Sequence, residues 1–202
     1  MKHFSIAGLA LAVALTSASA RAERPFTARH PQVGVRVGYG LYVGEDDIGD
    51  FNPYGLGVGL TTGYTFDHLY IGISGEYYLG GWTEGLSDQS SGSIWSGMAE
   101  PGYDIILGKM MMLRPQVGVG VSSLRFKGCG VVEDAEGNLV QACGKAETEY
   151  KLAVAPGAMF FIDDLGGFYG QVGARYHHVF FDEAGVSNVA GVLLNVGVGA
   201  AW

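Results

Sequence analysis

The residues best able to do chemistry in this chain are ionisable, and they are few. Lys, Arg, Asp and Glu together make up 16% of the sequence, against about 25% in an average soluble domain. His177 and His178 stand together. A histidine titrates near neutral pH, so the pair raises the question of acid–base or hydrolytic chemistry. A hydrolase also needs a nucleophile within reach of the base. Two places on, where an alternating chain puts the neighbour on the same face, stand Val179 and Phe180. No nucleophile–base pair is assembled there, and no enzyme is expected. Glu45, Asp46, Asp47 and Asp50 could hold a cation, but their spacing is not that of a calcium loop with Gly sixth and Glu twelfth. A solvated acidic loop is expected, with no metal site and no cofactor.

The other charges lie inside stretches that alternate, and these stretches must position them. Eight segments carry the two-residue period of a strand: Gln32–Val43, Tyr54–Phe66, Leu69–Leu79, Ile94–Leu107, Met111–Arg125, Tyr150–Ile162, Phe168–Phe180 and Val189–Trp202. One face of each is apolar. The other is mostly small residues, with Arg36, Glu76, Glu100, Asp104, Arg114, Lys151, Arg175 and His177 set among them. Long connections follow the first, third, fifth and seventh segments, and short turns follow the second, fourth and sixth. Each segment is long enough for the ~9–11 residues with which a tilted strand crosses a bilayer.

Which solvent meets the apolar face follows from the other one. A soluble barrel would put the second face in water, yet that face is poor in Lys and Glu. Small residues suit the narrow lumen of an eight-strand barrel. The chain is 48% apolar, but after the N-terminus no apolar run reaches the ~18 residues of a membrane helix, which leaves a closed barrel as the spanning structure. Aromatics on the apolar face sort to the segment ends. Tyr54, Tyr77, Trp95, Tyr150 and Phe180 lie towards the long loops, and Phe66, Tyr103, Phe160 and Phe168 towards the short turns. These are expected to be two girdles at the two membrane interfaces.

Residues 1–20 read as a secretory signal: Lys2 and His3, an apolar core from Phe4 to Leu15, and cleavage after Ala20 or Ala22. Residues 21–31 are a periplasmic lead-in and 32–202 the barrel. Removing Lys2 takes the formal charge from −8 to −9, and losing Arg21 as well makes it −10. An acidic chain without a basic patch argues against nucleic acid. Cys129 and Cys143, an isolated even pair in an exported chain, read as one disulfide. Its short loop suggests roughly 3 kcal/mol of stabilisation at most.

The last segment reads VAGVLLNVGVGAAW. Asn195, Gly197, Ala200 and Trp202 stand where outer-membrane barrels of Gram-negative bacteria carry their assembly signal. With the signal peptide, the eight alternating segments and the girdles, the whole mature chain resembles the OmpA-like and OmpX-like eight-stranded outer-membrane β-barrels. It matches the barrel alone, with no peptidoglycan-binding domain. The resemblance implies an all-β, antiparallel up-and-down transmembrane barrel with four long extracellular loops and three short periplasmic turns. It implies contact with outer-membrane lipid and lipopolysaccharide, and with the barrel-assembly machinery through the last strand. Barrels of this kind that deacylate lipid A carry His and Ser two apart on one strand, a motif absent here.

Three functions remain open. One is a structural envelope protein whose loops, Phe126–Glu149 above all, contact an extracellular ligand. Another is a narrow channel for ions or small molecules. The third is a lipid A-modifying enzyme. The inward charges are expected to form a salt-bridge network that plugs the lumen, with Glu100 and Arg114 paired across strands, because eight strands leave little room beyond side chains. Pro101, Pro115 and Pro156 fall within strands and cannot donate to a ladder. Bulges, with a slipped register, are expected around them.

Overall fold

The computed structural model describes residues 30–43, 52–80, 91–127, 129–133, 139–143, 147–163, 166–180 and 188–202. The expected signal peptide, most of the lead-in and the acidic loop lie outside these residues, as do most of the loops at 80–93 and 181–188. The alternating segments form strands β1 (His30–Tyr42), β2 (Gly55–Phe66), β3 (Leu69–Tyr78), β4 (Ser91–Tyr103), β5 (Ile105–Ile106), β6 (Met111–Lys127), β7 (Cys129–Glu133), β8 (Leu139–Cys143), β9 (Glu147–Asp163), β10 (Phe168–Val179) and β11 (Val189–Ala201). Their order around the wall is β4-β3-β2-β1-β11-β10-β9-β6, and β4 pairs with β6 to close it. Every pairing is antiparallel. The result is a closed eight-stranded barrel, with β5 continuing β4 along β6.

Closure answers the edge problem, since every wall strand finds a neighbour on each side. At the end of the chain, Ala201 N donates to Gly167 O at 2.7 Å and Trp202 N to Pro31 O at 3.2 Å. No helix among the described residues is long and apolar enough to cross a membrane. The crossing is made by strands. Large apolar side chains point outward: Leu56 is 58% exposed, Ile73 61% and Val198 62%. The charged and polar side chains point inward. This reversal of the soluble pattern suits a wall that faces hydrocarbon.

Two expectations change. The segment 126–149, read as one loop, is partly sheet. The β6–β9 ladder runs on to Phe126 opposite Glu147, and β7 pairs with β8 with Cys129 directly opposite Cys143. Apolar alternation stops near Arg125 and Tyr150 because beyond the membrane neither face must be apolar, but backbone pairing does not depend on it. Nor do the prolines shift the register. All three point outward, where no ladder partner is displaced. Pro101 stays opposite Ile71, Pro115 opposite Ala158 and Pro156 opposite Val117. Each leaves a gap in the ladder on its other side, and the pairing resumes in the same register.

Candidate functional site

The inward faces meet in a lumen filled in layers. At mid-height, four charges from four strands form a ring: Arg36 on β1, Glu76 on β3, Glu100 on β4 and Arg175 on β10. Arg36 Nη2 donates to Glu100 Oε1 at 2.9 Å, and Arg175 Nη1 donates to the same oxygen at 2.7 Å. Arg175 Nη2 donates to Glu76 Oε2. Arg36 Nε lies 2.5 Å from Glu76 Oε1, an ion pair too bent to count as a hydrogen bond. Each guanidinium therefore touches both carboxylates, and the ring is neutral. Ser74 Oγ adds a donor to Glu100 Oε1 at 2.7 Å. All four charged residues are at most 5% exposed. Such burial is tolerable because each charge is paired on more than one side.

The register explains why they meet. Arg36, Gly59 and Glu76 lie opposite one another across β1, β2 and β3. A Cβ at Gly59 would stand 2.9 Å from Glu76 Cγ and 3.3 Å from Arg36 Cγ. Glycine between the two lets their stems converge over the intervening strand.

The end of the barrel at the short turns holds a second ion pair. Arg114 Nε lies 2.5 Å from Asp104 Oδ1, and its Nη2 donates to Oδ2 at 3.0 Å. Its Nη1 donates to Gln32 Oε1 at 3.1 Å, and Thr65 Oγ1 donates to Asp104 Oδ2 at 3.0 Å. The guanidinium carbon lies 3.6 Å from the Tyr70 ring centroid and 4.7 Å from that of Phe161. The expected Glu100–Arg114 pair is thus not formed. The β4–β6 register sets Gly102 against Gln116, so Asp104 falls beside Arg114 while Glu100 lies nearer Gly118.

Towards the long loops the filling is apolar, with Tyr54, Tyr78, Ile94, Met98, Val179 and Leu193 at its centre. His177 crosses this layer. Its Nδ1 lies 3.0 Å from Tyr54 OH and its Nε2 3.0 Å from Ser122 Oγ. A serine–histidine contact does therefore exist, contrary to expectation. Its partners come from β6 and β10, which no search along a single strand could pair. Ser122 and His177 are each 1% exposed, and the third group is a phenol rather than a carboxylate.

Tyr54 was expected in the outer girdle and instead is 0% exposed inside the lumen. Gly55, at φ +59°, breaks the strand's alternation just after it and turns the ring inward. Asn52 Oδ1 accepts from Tyr54 N at 3.1 Å and fixes the turn. Tyr77, Trp95, Tyr150, Phe180, Phe66 and Tyr103 are exposed on the outer face, and Phe160 and Phe168 are half-buried. Lys151 is half-buried opposite Ser122, at the loop end of β9. Asn195 faces the lumen, where its Oδ1 accepts from Tyr78 OH at 3.3 Å. Gly197 lies beside Arg36, Ala200 is buried between Val33 and Phe168, and Trp202 is half-buried. The cysteine side chains lie outside the described part of the structure.

Sequence reasoning by charge alone missed Gln32, Ser74, Thr65, Tyr70, Tyr78, Ser122 and Phe161. Gln32, Ser74 and Tyr78 sit two or four places from a charged lumen residue, and all seven carry the parity of a face already identified as inward. Polar and aromatic residues on that face were the available signal.

The profile of the family described as outer membrane protein beta-barrel domain matches residues 8–201. The chain belongs to this family. It is an outer-membrane protein of the OmpA-like, eight-stranded kind, from a Gram-negative envelope. Among solved structures it is similar to Ail, the attachment invasion locus protein of Yersinia pestis, at 15% identity and a TM-score of 0.51, covering 86% of this chain and 97% of that one. It is also similar to Neisserial surface protein A, at 16% identity and a TM-score of 0.50, covering 85% of this chain and 96% of that one. At these identities the likeness is one of fold. A comparison with curated proteins finds no match.

Proposed function

We propose that this protein is a non-conducting outer-membrane barrel that supports the envelope with its wall and presents its long loops to extracellular partners. The observation that carries this reading is the neutral ring of Arg36, Glu76, Glu100 and Arg175, which spans the lumen from four strands and leaves none of its charges exposed beyond 5%. The apolar layer around Tyr54 and Leu193 supports it from the loop side. The burial of Ser122 and His177 favours a non-enzymatic role, with the histidine acting as a tie between β6, β10 and Tyr54.

The test is planar-bilayer conductance of the refolded mature protein. A silent bilayer from folded protein is expected. Steady unitary currents from the unaltered protein would overturn the plugged reading in favour of a narrow channel. Lipid A from a strain carrying His177→Ala is expected to match the parent by mass spectrometry.

Four further readings belong to the same proposal. The N-terminal signal is removed on export by cleavage after Ala20 or Ala22, to be checked by sequencing the mature N-terminus. Cys129 and Cys143 form a disulfide, supported by their opposed backbone positions on β7 and β8 and checked by thiol labelling with and without reductant. The last strand, through Asn195, Gly197, Ala200 and Trp202, contacts the assembly machinery, and lipopolysaccharide packs on the outer wall.

A further inference from the structure

The eight seams of the barrel are not equivalent. The β1–β2, β1–β11, β2–β3, β3–β4, β6–β9 and β10–β11 ladders run without a break. The β9–β10 ladder has one gap, at Pro156. The β4–β6 ladder has two. After Ala99–Val119 it omits Glu100 and Pro101 opposite Val117 and Gly118, and resumes at Gly102–Gln116. It then omits Tyr103 and Asp104 opposite Arg114 and Pro115, and resumes at Ile105–Leu113. Each gap contains a proline, one from either strand, and a proline has no N–H to give. The Asp104 N–H faces away from this seam, continuing the β3–β4 ladder to His68 O at 2.7 Å.

Across the second gap lies the bidentate Arg114–Asp104 pair. It joins β6 to the β4–β5 junction from inside the lumen, at 2.5 and 3.0 Å. Gly102, between the two gaps, would place a Cβ 3.0 Å from Arg114 Cγ, so the arginine stem lies directly against β4. Gln32 and Thr65 hold the two partners from β1 and β2, and Tyr70 and Phe161 flank the guanidinium.

We infer that the β4–β6 seam is the line along which this barrel opens, and that the Arg114–Asp104 pair is the clasp that keeps it shut in place of missing backbone bonds. Ladder bonds are made in series, so a seam lacking them at two nearby points opens locally at lower free energy than its neighbours. A charge-assisted bidentate contact is the strongest side-chain substitute available to two strands. Opening along this seam would bring lipid against Arg114 and Asp104, so the clasp also guards the lumen.

The test is hydrogen–deuterium exchange on the full refolded mature chain in detergent micelles. The amides facing across the seam, within 99–106 and 112–119, should exchange roughly tenfold faster than those between β1 and β2, the effect expected of one or two lost hydrogen bonds. Asp104→Asn should accelerate exchange on this seam and leave the β1–β2 seam unchanged. Pro101→Val with Pro115→Val should slow seam exchange and shrink the Asp104→Asn effect. Equal protection of the two seams in the unaltered protein would overturn the inference, as would an Asp104→Asn effect spread evenly around the wall. Should Asp104→Asn not fold, the comparison of the unaltered protein with the double proline variant decides alone. No slowing there counts against the inference.

Discussion

The lumen is filled in two ways. At mid-height it is ionic: Arg36, Glu76, Glu100 and Arg175 share each other's charge across the full width. Towards the long loops it is apolar, with Leu193, Ile94 and Val179 packed around Tyr54 and a chain of polar contacts through His177. The same barrel thus uses a network in one layer and side-chain volume in the next. The two respond differently to damage. In a network, removing one member strands the others, so loss is abrupt. In a packed layer, loss scales with the volume removed and with how far the neighbours can relax.

The sharpest way to break this comparison is Arg175→Ala. It leaves Glu76 and Glu100 sharing Arg36 alone, and a destabilisation of about 3–5 kcal/mol is expected. Equilibrium unfolding in urea, followed by tryptophan fluorescence and by heat-dependent gel migration, reads it. Replacing Arg175 by Met together with Glu76 by Gln should cost less than the sum of the single changes, because the ring loses one charge of each sign.

Leu193→Ala probes the packed layer. The side chain is 1% exposed, and about 3 kcal/mol is expected from the lost burial and the cavity left behind. His177→Ala should follow, at about 1–3 kcal/mol, since it leaves the Tyr54 and Ser122 hydroxyls buried without their shared partner. The smallest effect belongs to Leu194→Ala. That residue is the immediate neighbour of Leu193 but is 51% exposed on the lipid face. Lipid tails are as apolar as leucine and fill the space, so less than about 1 kcal/mol is expected in the same unfolding assay. Equal costs at 193 and 194 would mean that the two faces have been assigned wrongly.

Much of this was legible from alternation. The period of two separated Leu193 from Leu194, and Arg175 from Tyr176, because successive side chains on a strand must point to opposite faces. Composition then decided which face meets lipid. Alternation fails where the backbone leaves the strand. Tyr54 carries the parity of an outward residue, but the left-handed Gly55 reverses it. The prolines erred in the other direction. Each pointed outward and cost one side of a ladder without moving the register. Ser122 and His177 were each on the inward face, yet their meeting spans 55 positions of sequence.

The amino-acid sequence by itself determined the number of wall strands, the face each presents to lipid, and the set of charges that had to share the interior. Those follow from local periodicity and from the cost of leaving a polar group in hydrocarbon. Only the closed barrel decided who pairs with whom. Arg114 takes Asp104 rather than Glu100, Arg36 and Arg175 each bridge Glu76 and Glu100, and His177 finds Tyr54 and Ser122. Apart from Arg114 and Asp104, which face each other across one short turn, those partners lie on strands distant in the chain, and each separation is fixed by strand register and barrel curvature.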